Sequence, residues 1–130
     1  MVTHNAACSC GQLTVQVQGD PVRVSVCHCL ACQRRTGSTY GFQARWPVAS
    51  AQITGAAREY MRESDDLDEE RRFYFCPDCG ATVYYFTDEE YIAIPVGVLA
   101  DPSFPPPTVS VWEERKHSWV TVPEGVTRDH

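Results

Sequence analysis

The chain has 130 residues and a formal net charge of -6 at pH 7, with 43% hydrophobic and 22% charged residues. That size and composition fit one globular domain, residues 1–130, whose modest core would benefit from metal staples. The acidic balance argues against a nucleic acid or an anionic membrane as partner, because both select basic surfaces.

The opening Met1-Val2-Thr3-His4-Asn5 has neither a basic nor an apolar signal region, so a cytoplasmic location is expected. The longest apolar run, around residues 91–100, contains Pro95 and Gly97 and is too short to span a bilayer. Residues 12–18 alternate Leu13, Val15 and Val17 with Thr14, Gln16 and Gln18, the pattern of a half-buried strand. Gly19-Asp20-Pro21 reads as a turn, and Val22, Val24 and Val26 alternate in a second strand, which predicts a hairpin. Residues 30–35 are expected to wind into a helical turn ending at Gly37.

Tyr40, Phe42, Ala44 and Trp46 mark a third strand closed by Pro47, and residues 52–54 and 58–61 form shorter strands around Gly55. The acidic run at residues 64–70 reads as a solvated hairpin loop, since it lacks the glycine and spacing of a calcium loop. Residues 72–76 and 82–87 are aromatic-rich strands, and residues 91–98 form another. A proline-rich connection at 101–107 leads to strands at 109–112 and 119–122, with residues 128–130 frayed and an ordered core of about 4–125. The fold class is therefore mainly β: a small, zinc-stapled antiparallel β domain with few or no helices.

The seven cysteines fall as Cys8/Cys10, Cys27/Cys29/Cys32 and Cys76/Cys79. An odd number leaves one over from a disulfide framework, and close pairs in a reducing compartment more often hold metal than each other. On extended segments Cys8/Cys10 and Cys27/Cys29 would each present both thiols on one face, with Cα atoms ~6–7 Å apart. Cys29-Leu30-Ala31-Cys32 and Cys76-Pro77-Asp78-Cys79-Gly80 are two-residue knuckles of the zinc-ribbon kind. Structural zinc takes a closed set of four ligands and catalytic zinc takes three with an open position. Seven divides accordingly: Cys8, Cys10, Cys76 and Cys79 as one set and Cys27, Cys29 and Cys32 as an incomplete one. The spacing alone does not exclude a swap that joins Cys27/Cys29 to Cys76/Cys79.

Taken together, Cys8-Ser9-Cys10-Gly11, Cys27-His28-Cys29-x-x-Cys32-x-x-x-Thr36-Gly37, Cys76-x-x-Cys79-Gly80 and Trp119-Val120-x-x-Pro123 resemble the glutathione-dependent formaldehyde-activating family, which includes centromere protein V. The resemblance spans Cys8 to Gly125 and implies a β-tent of antiparallel sheets. It also implies that Cys8, Cys10, Cys76 and Cys79 are structural zinc ligands while Cys27, Cys29 and Cys32 form a second, catalytic zinc site. The activity it implies is condensation of formaldehyde with glutathione to S-(hydroxymethyl)glutathione, a carbon–sulfur lyase reaction.

The residues permit that chemistry. A zinc ion with three thiolates can take a substrate thiol in its fourth position, deprotonate it, and present it to a small aldehyde. Arg34 and Arg35 follow the last ligand and are candidates to offset the charge or pair with a glutathione carboxylate. Gly37 and Ser38 are candidates to shape the site mouth with backbone N–H groups. His28, between two ligands on an extended segment, should point away from the metal and serve packing or support. The rival reading is a non-catalytic zinc-binding β module that displays a protein-interaction surface. An iron–sulfur or redox dithiol centre fits less well, because knuckles between strands suit zinc.

Overall fold

The computed structural model describes residues 1–63 and 70–129. The chain forms β1 (Thr3–Ala7), β2 (Thr14–Gln18), β3 (Arg23–Cys27), α1 (Leu30–Thr36), β4 (Gly41–Pro47), β5 (Ala51–Thr54) and β6 (Arg58–Glu63). It continues with β7 (Glu70–Phe75), β8 (Thr82–Phe86), β9 (Tyr91–Pro95), β10 (Val109–Val111) and β11 (Thr127–Asp129), with single 3-10 turns after β4, β9 and β10. The architecture is mainly β, as expected, with one short α-helix. The acidic run lies outside the described residues except for Glu70, which pairs with Glu63 at the start of β7.

The described residues form two sheets. One has three antiparallel strands in the order β1-β2-β5; the other has eight, in the order β11-β10-β3-β4-β9-β8-β7-β6. The larger sheet is mixed, because β10 runs parallel to both β3 and β11. The predicted hairpin between residues 12–18 and 22–26 does not form. Both segments are strands, but β2 pairs with β1 and β5 while β3 pairs with β4 and β10. The loop between them carries the chain from one sheet to the other. Its donors are satisfied on separate sides: Gly19 N–H by Val2 carbonyl at 2.7 Å and Val22 N–H by Arg45 carbonyl at 2.8 Å.

The core lies between the sheets. Leu13, Val15 and Val17 meet Ala44, Trp46, Val83, Ile92 and Ile94 there, all at most 1% exposed. Trp46 donates its indole N–H to Gly19 carbonyl at 2.9 Å, so its one polar atom is satisfied inside the core. The other face of the large sheet carries a second cluster, Phe73, Tyr85 and Ala93, from three neighbouring strands. Arg35 of α1 reaches onto that cluster.

Three further expectations are corrected. Residues 119–122 are not a strand: Val120 N–H closes a turn onto His117 carbonyl, and Trp119 is 70% exposed. The strand at 91–98 stops at Pro95, and Val96–Leu99 turns into a 3-10 segment. Finally, Arg128 and Asp129 pair along β10 instead of fraying.

Candidate metal centres

Two knuckles build the first cluster. Cys8 follows β1 and Cys76 follows β7, and each starts a loop closed in the same way. The N–H of Cys8 bonds Leu13 carbonyl and that of Cys76 bonds Ala81 carbonyl, both at 3.0 Å. Glycine N–H groups bond back to the cysteine carbonyls, Gly11 to Cys8 at 3.1 Å and Gly80 to Cys76 at 2.8 Å. Cys8 and Cys10 therefore sit on a tight turn, not on the extended segment expected.

The Sγ atoms of Cys8, Cys10, Cys76 and Cys79 all lie within 4.8 Å of one another. Two of the separations, Cys8–Cys10 and Cys10–Cys76, are 3.6 Å. Four sulfurs ~2.3 Å from one zinc at tetrahedral corners stand about 3.8 Å apart, so the cluster has the right size. Its surroundings favour thiolates. Leu13 N–H reaches Cys8 Sγ at 3.3 Å, and Cys76 Sγ accepts from Gln12 Nε2 at 3.0 Å and from Asp78 N–H at 3.4 Å. Burial pushes the Cys76 thiol up, but these donors and the Cys79 N–H outweigh it and bring it down to about 6. Cys10, beside two other sulfurs and despite a Gln12 backbone donor, is pushed up to about 12.

Gln12 is the residue here that sequence reasoning missed. Its side chain clamps the loop after β5, donating to Ala56 carbonyl at 2.7 Å and accepting from Ala56 N–H at 2.9 Å, while also reaching Cys76. A glutamine one residue past Cys-x-Cys-Gly was the available signal, but its partner is 44 residues away.

The second cluster is Cys27, Cys29 and Cys32, whose Sγ atoms also lie within 4.8 Å of one another. The spacing therefore resolves as four and three, and the swapped arrangement does not occur. Cys27 ends β3. Cys29 caps α1 from an extended conformation, its Sγ accepting from Cys32 N–H at 3.3 Å, and Cys32 is the buried residue of the helix. Bonds from Cys27 and Cys29, then the charges of Arg35 and Arg62, hold the Cys32 thiol down to about 2, while Cys27 is pushed up by its neighbours Cys29 and Cys32. Three thiolates this close repel one another, so ionising all three calls for a cation among them, which is the donor chemistry of a metal site.

His28 is fully buried and is not one of the grouped ligands. Its Nε2 lies 3.0 Å from Ser110 Oγ, which donates to Glu113 Oε2 at 2.6 Å; Arg128 Nη1 bonds the same carboxylate oxygen. This chain joins the loop between β3 and α1 to β10 and β11. Gln33 adds a second tie, donating to His28 carbonyl at 2.8 Å and Arg115 carbonyl at 3.0 Å.

Of the four candidate substrate contacts, Arg35 points toward the cluster. A methyl group built on Gly41 would stand 3.2 Å from Arg35 Nη2 and 3.4 Å from Cys32 Cβ, so guanidinium and cysteine share one small space. Arg34 is exposed on α1. Gly37 ends the helix in the left-handed region, its N–H on Gln33 carbonyl at 2.9 Å, and Ser38 N–H bonds Thr36 Oγ1 at 3.1 Å. Gly37 and Ser38 therefore lie at the opposite end of α1 from Cys29. Arg62 on β6 was not anticipated, because only the β6–β7 register brings it onto the Phe73 ring, 4.7 Å from its centroid.

No helix among the described residues is long and apolar enough to cross a membrane. A comparison with curated proteins finds no match. A crystal structure of a Rhodobacter sphaeroides protein is similar in fold, with a TM-score of 0.56 and 19% sequence identity. The similarity covers 75% of this chain and 91% of that one. Residues 3–115, which include both thiol clusters, match the family described as glutathione-dependent formaldehyde-activating enzyme, and the chain belongs to that family.

Proposed function

We propose that the protein is a zinc-dependent carbon–sulfur lyase that joins a glutathione-type thiol to a small aldehyde, as in S-(hydroxymethyl)glutathione formation. In the forward direction the thiol sulfur forms the C–S bond with the carbonyl carbon. The C=O π pair moves to oxygen, and that oxygen takes a proton. The observation that carries this reading is the three-sulfur cluster beside two guanidinium groups, in a chain that already has a separate four-sulfur cluster.

In this reading Cys8, Cys10, Cys76 and Cys79 hold a structural zinc, and Cys27, Cys29 and Cys32 hold a catalytic one. Zinc held by three thiolates supplies a position at which an incoming thiol is deprotonated at neutral pH. The chain's own part is to fix and balance that site. Cys27 comes from the end of β3 and Cys32 from α1, and Cys29, the cap between them, is set by the N–H of Cys32. Arg35 and Arg62 offset the net negative charge of the thiolates and attract a substrate carboxylate. His28, Ser110 and Glu113 position the link between Cys27 and Cys29 without touching substrate.

The test is exchange spectroscopy on 13C-formaldehyde and glutathione with zinc-loaded protein. Acceleration of adduct formation over the spontaneous reaction, lost in Cys32→Ser, supports the proposal. No acceleration would remove the activity and leave the reading of a non-catalytic zinc-binding β module.

A further inference from the structure

We infer that a cavity on the outer face of the large sheet is a recognition pocket for an aromatic monocarboxylate. It would select a thiol partner that carries this group in place of the γ-glutamyl arm of glutathione, and in that respect it rests on the lyase reading. The cavity has a volume of about 280 Å³ and is lined by Arg35, Tyr60, Arg62, Phe73, Phe75 and Thr82, with Gly80 at one end. The register explains the apolar lining: Tyr60 stands opposite Phe73 across β6 and β7, and Phe75 opposite Thr82 across β7 and β8.

The two arginines carry the argument. Arg35 Cζ stands 4.9 Å and Arg62 Cζ 4.7 Å from the Phe73 ring centroid, so two cations converge on one ring. Arg35 Nε, Arg62 Nε and Arg62 Nη1 are buried without a hydrogen-bond partner among the described residues. Arginine donors withdrawn from water without an acceptor are costly to keep, and a bound anion would satisfy them with charge-assisted hydrogen bonds. Three thiolates and a divalent metal together leave one negative charge against these two positive ones. Among the described residues the balance is one uncompensated positive charge, which matches one carboxylate.

The rest of the ligand follows from the remaining walls. Tyr60, Phe73 and Phe75 offer ring faces and edges, and Thr82 offers one hydroxyl. No acidic side chain among the described residues lines the cavity, so none of them would receive the ammonium of a γ-glutamyl group. A carboxylate attached to an aromatic body satisfies the arginines and covers the rings; a second charged group would be left unpaired.

The experiment is titration of the zinc-loaded protein with phenylacetate, phenylacetamide and acetate, by calorimetry and by shifts of Phe and Tyr ring resonances. Phenylacetate should bind saturably and at least about tenfold more tightly than either of the others, a tenfold ratio being about 1.4 kcal/mol. Arg62→Gln should abolish that preference while zinc content and circular dichroism stay unchanged. Arg35→Gln should do the same and keeps the inference testable if one variant misfolds. Equal affinity for the amide, or no saturable binding, would overturn it. The lyase reading is judged separately by the formaldehyde exchange rate. Selective phenylacetate binding without exchange would reject the reaction, and exchange without selectivity would reject the pocket.

Discussion

Alanine at Gly55 should damage the four-sulfur cluster from a distance. Gly55 has φ +106°, and a Cβ there would stand 2.0 Å from Gln12 carbonyl oxygen and 2.9 Å from its carbon. Both are backbone atoms, so no side-chain rotation relieves the clash. The left-handed conformation alone costs an alanine ~1–2 kcal/mol. Separating the two loops also breaks the paired Gln12–Ala56 hydrogen bonds, ~1 kcal/mol each, and loosens the Gln12 bond to Cys76 Sγ. The expected loss is about 4 kcal/mol, a large share of a typical domain's 5–15 kcal/mol. In urea unfolding of the zinc-loaded protein this should lower the midpoint by about 2 M, for a slope of ~2 kcal/mol/M. One zinc per chain should also pass to a chelator faster than in the parent. Gly37→Ala is the control: its φ is +66° but its Cβ would meet nothing within 4 Å, so the conformational cost stands alone. If the two variants lose the same stability, the Gln12 clamp contributes nothing and the reasoning fails.

Two other outcomes follow from the support of the three-sulfur loop. Ser110→Ala removes the bridge between His28 and Glu113, both bonds belonging to a fully buried hydroxyl, and should cost about 2 kcal/mol in chemical unfolding. Bonds from Arg128 and then Ser110 hold the Glu113 carboxyl below its ordinary value of 4.5. A depressed folded value stabilises above the unfolded value and is lost as pH falls through the folded one. The stability gap between parent and Glu113→Gln should therefore be constant near neutrality and close below about pH 4.5. A gap unchanged down to pH 3 would show that the pairing is worth nothing.

Local elements were legible because they rest on local patterns. Pro47 ends β4, Gly37 ends α1, and the aromatic-rich run of residues 82–86 makes β8. That the sulfurs divide as four and three was legible from counting, but which pair joins Cys76/Cys79 was settled only by the fold, which brings Cys8 and Cys10 there. Strand partners were not legible. Alternation at residues 14–18 fixes a buried face for β2 but does not say that its neighbours are β1 and β5, and a Gly-Asp-Pro turn is as good a crossing between sheets as a hairpin. Residues 119–122 alternate correctly yet turn, because Val120 alone is buried and Lys116 Nζ holds its carbonyl at 3.0 Å. Arg62, Gln12 and Ser110 escaped for one reason: each acts through a partner brought near by register or topology, and sequence spacing carries no trace of it.

The central claim is that the chain divides its sulfurs between a closed metal clamp and an open, substrate-facing site. Metal content and thermal unfolding of Cys79→Ser and Cys32→Ser test it directly. Cys79→Ser opens the clamp and should unfold the domain or lower its melting temperature steeply. Cys32→Ser should remain folded with one zinc per chain and lose any adduct-forming activity. Equal collapse of both variants, or loss of the same zinc from both, would contradict the division.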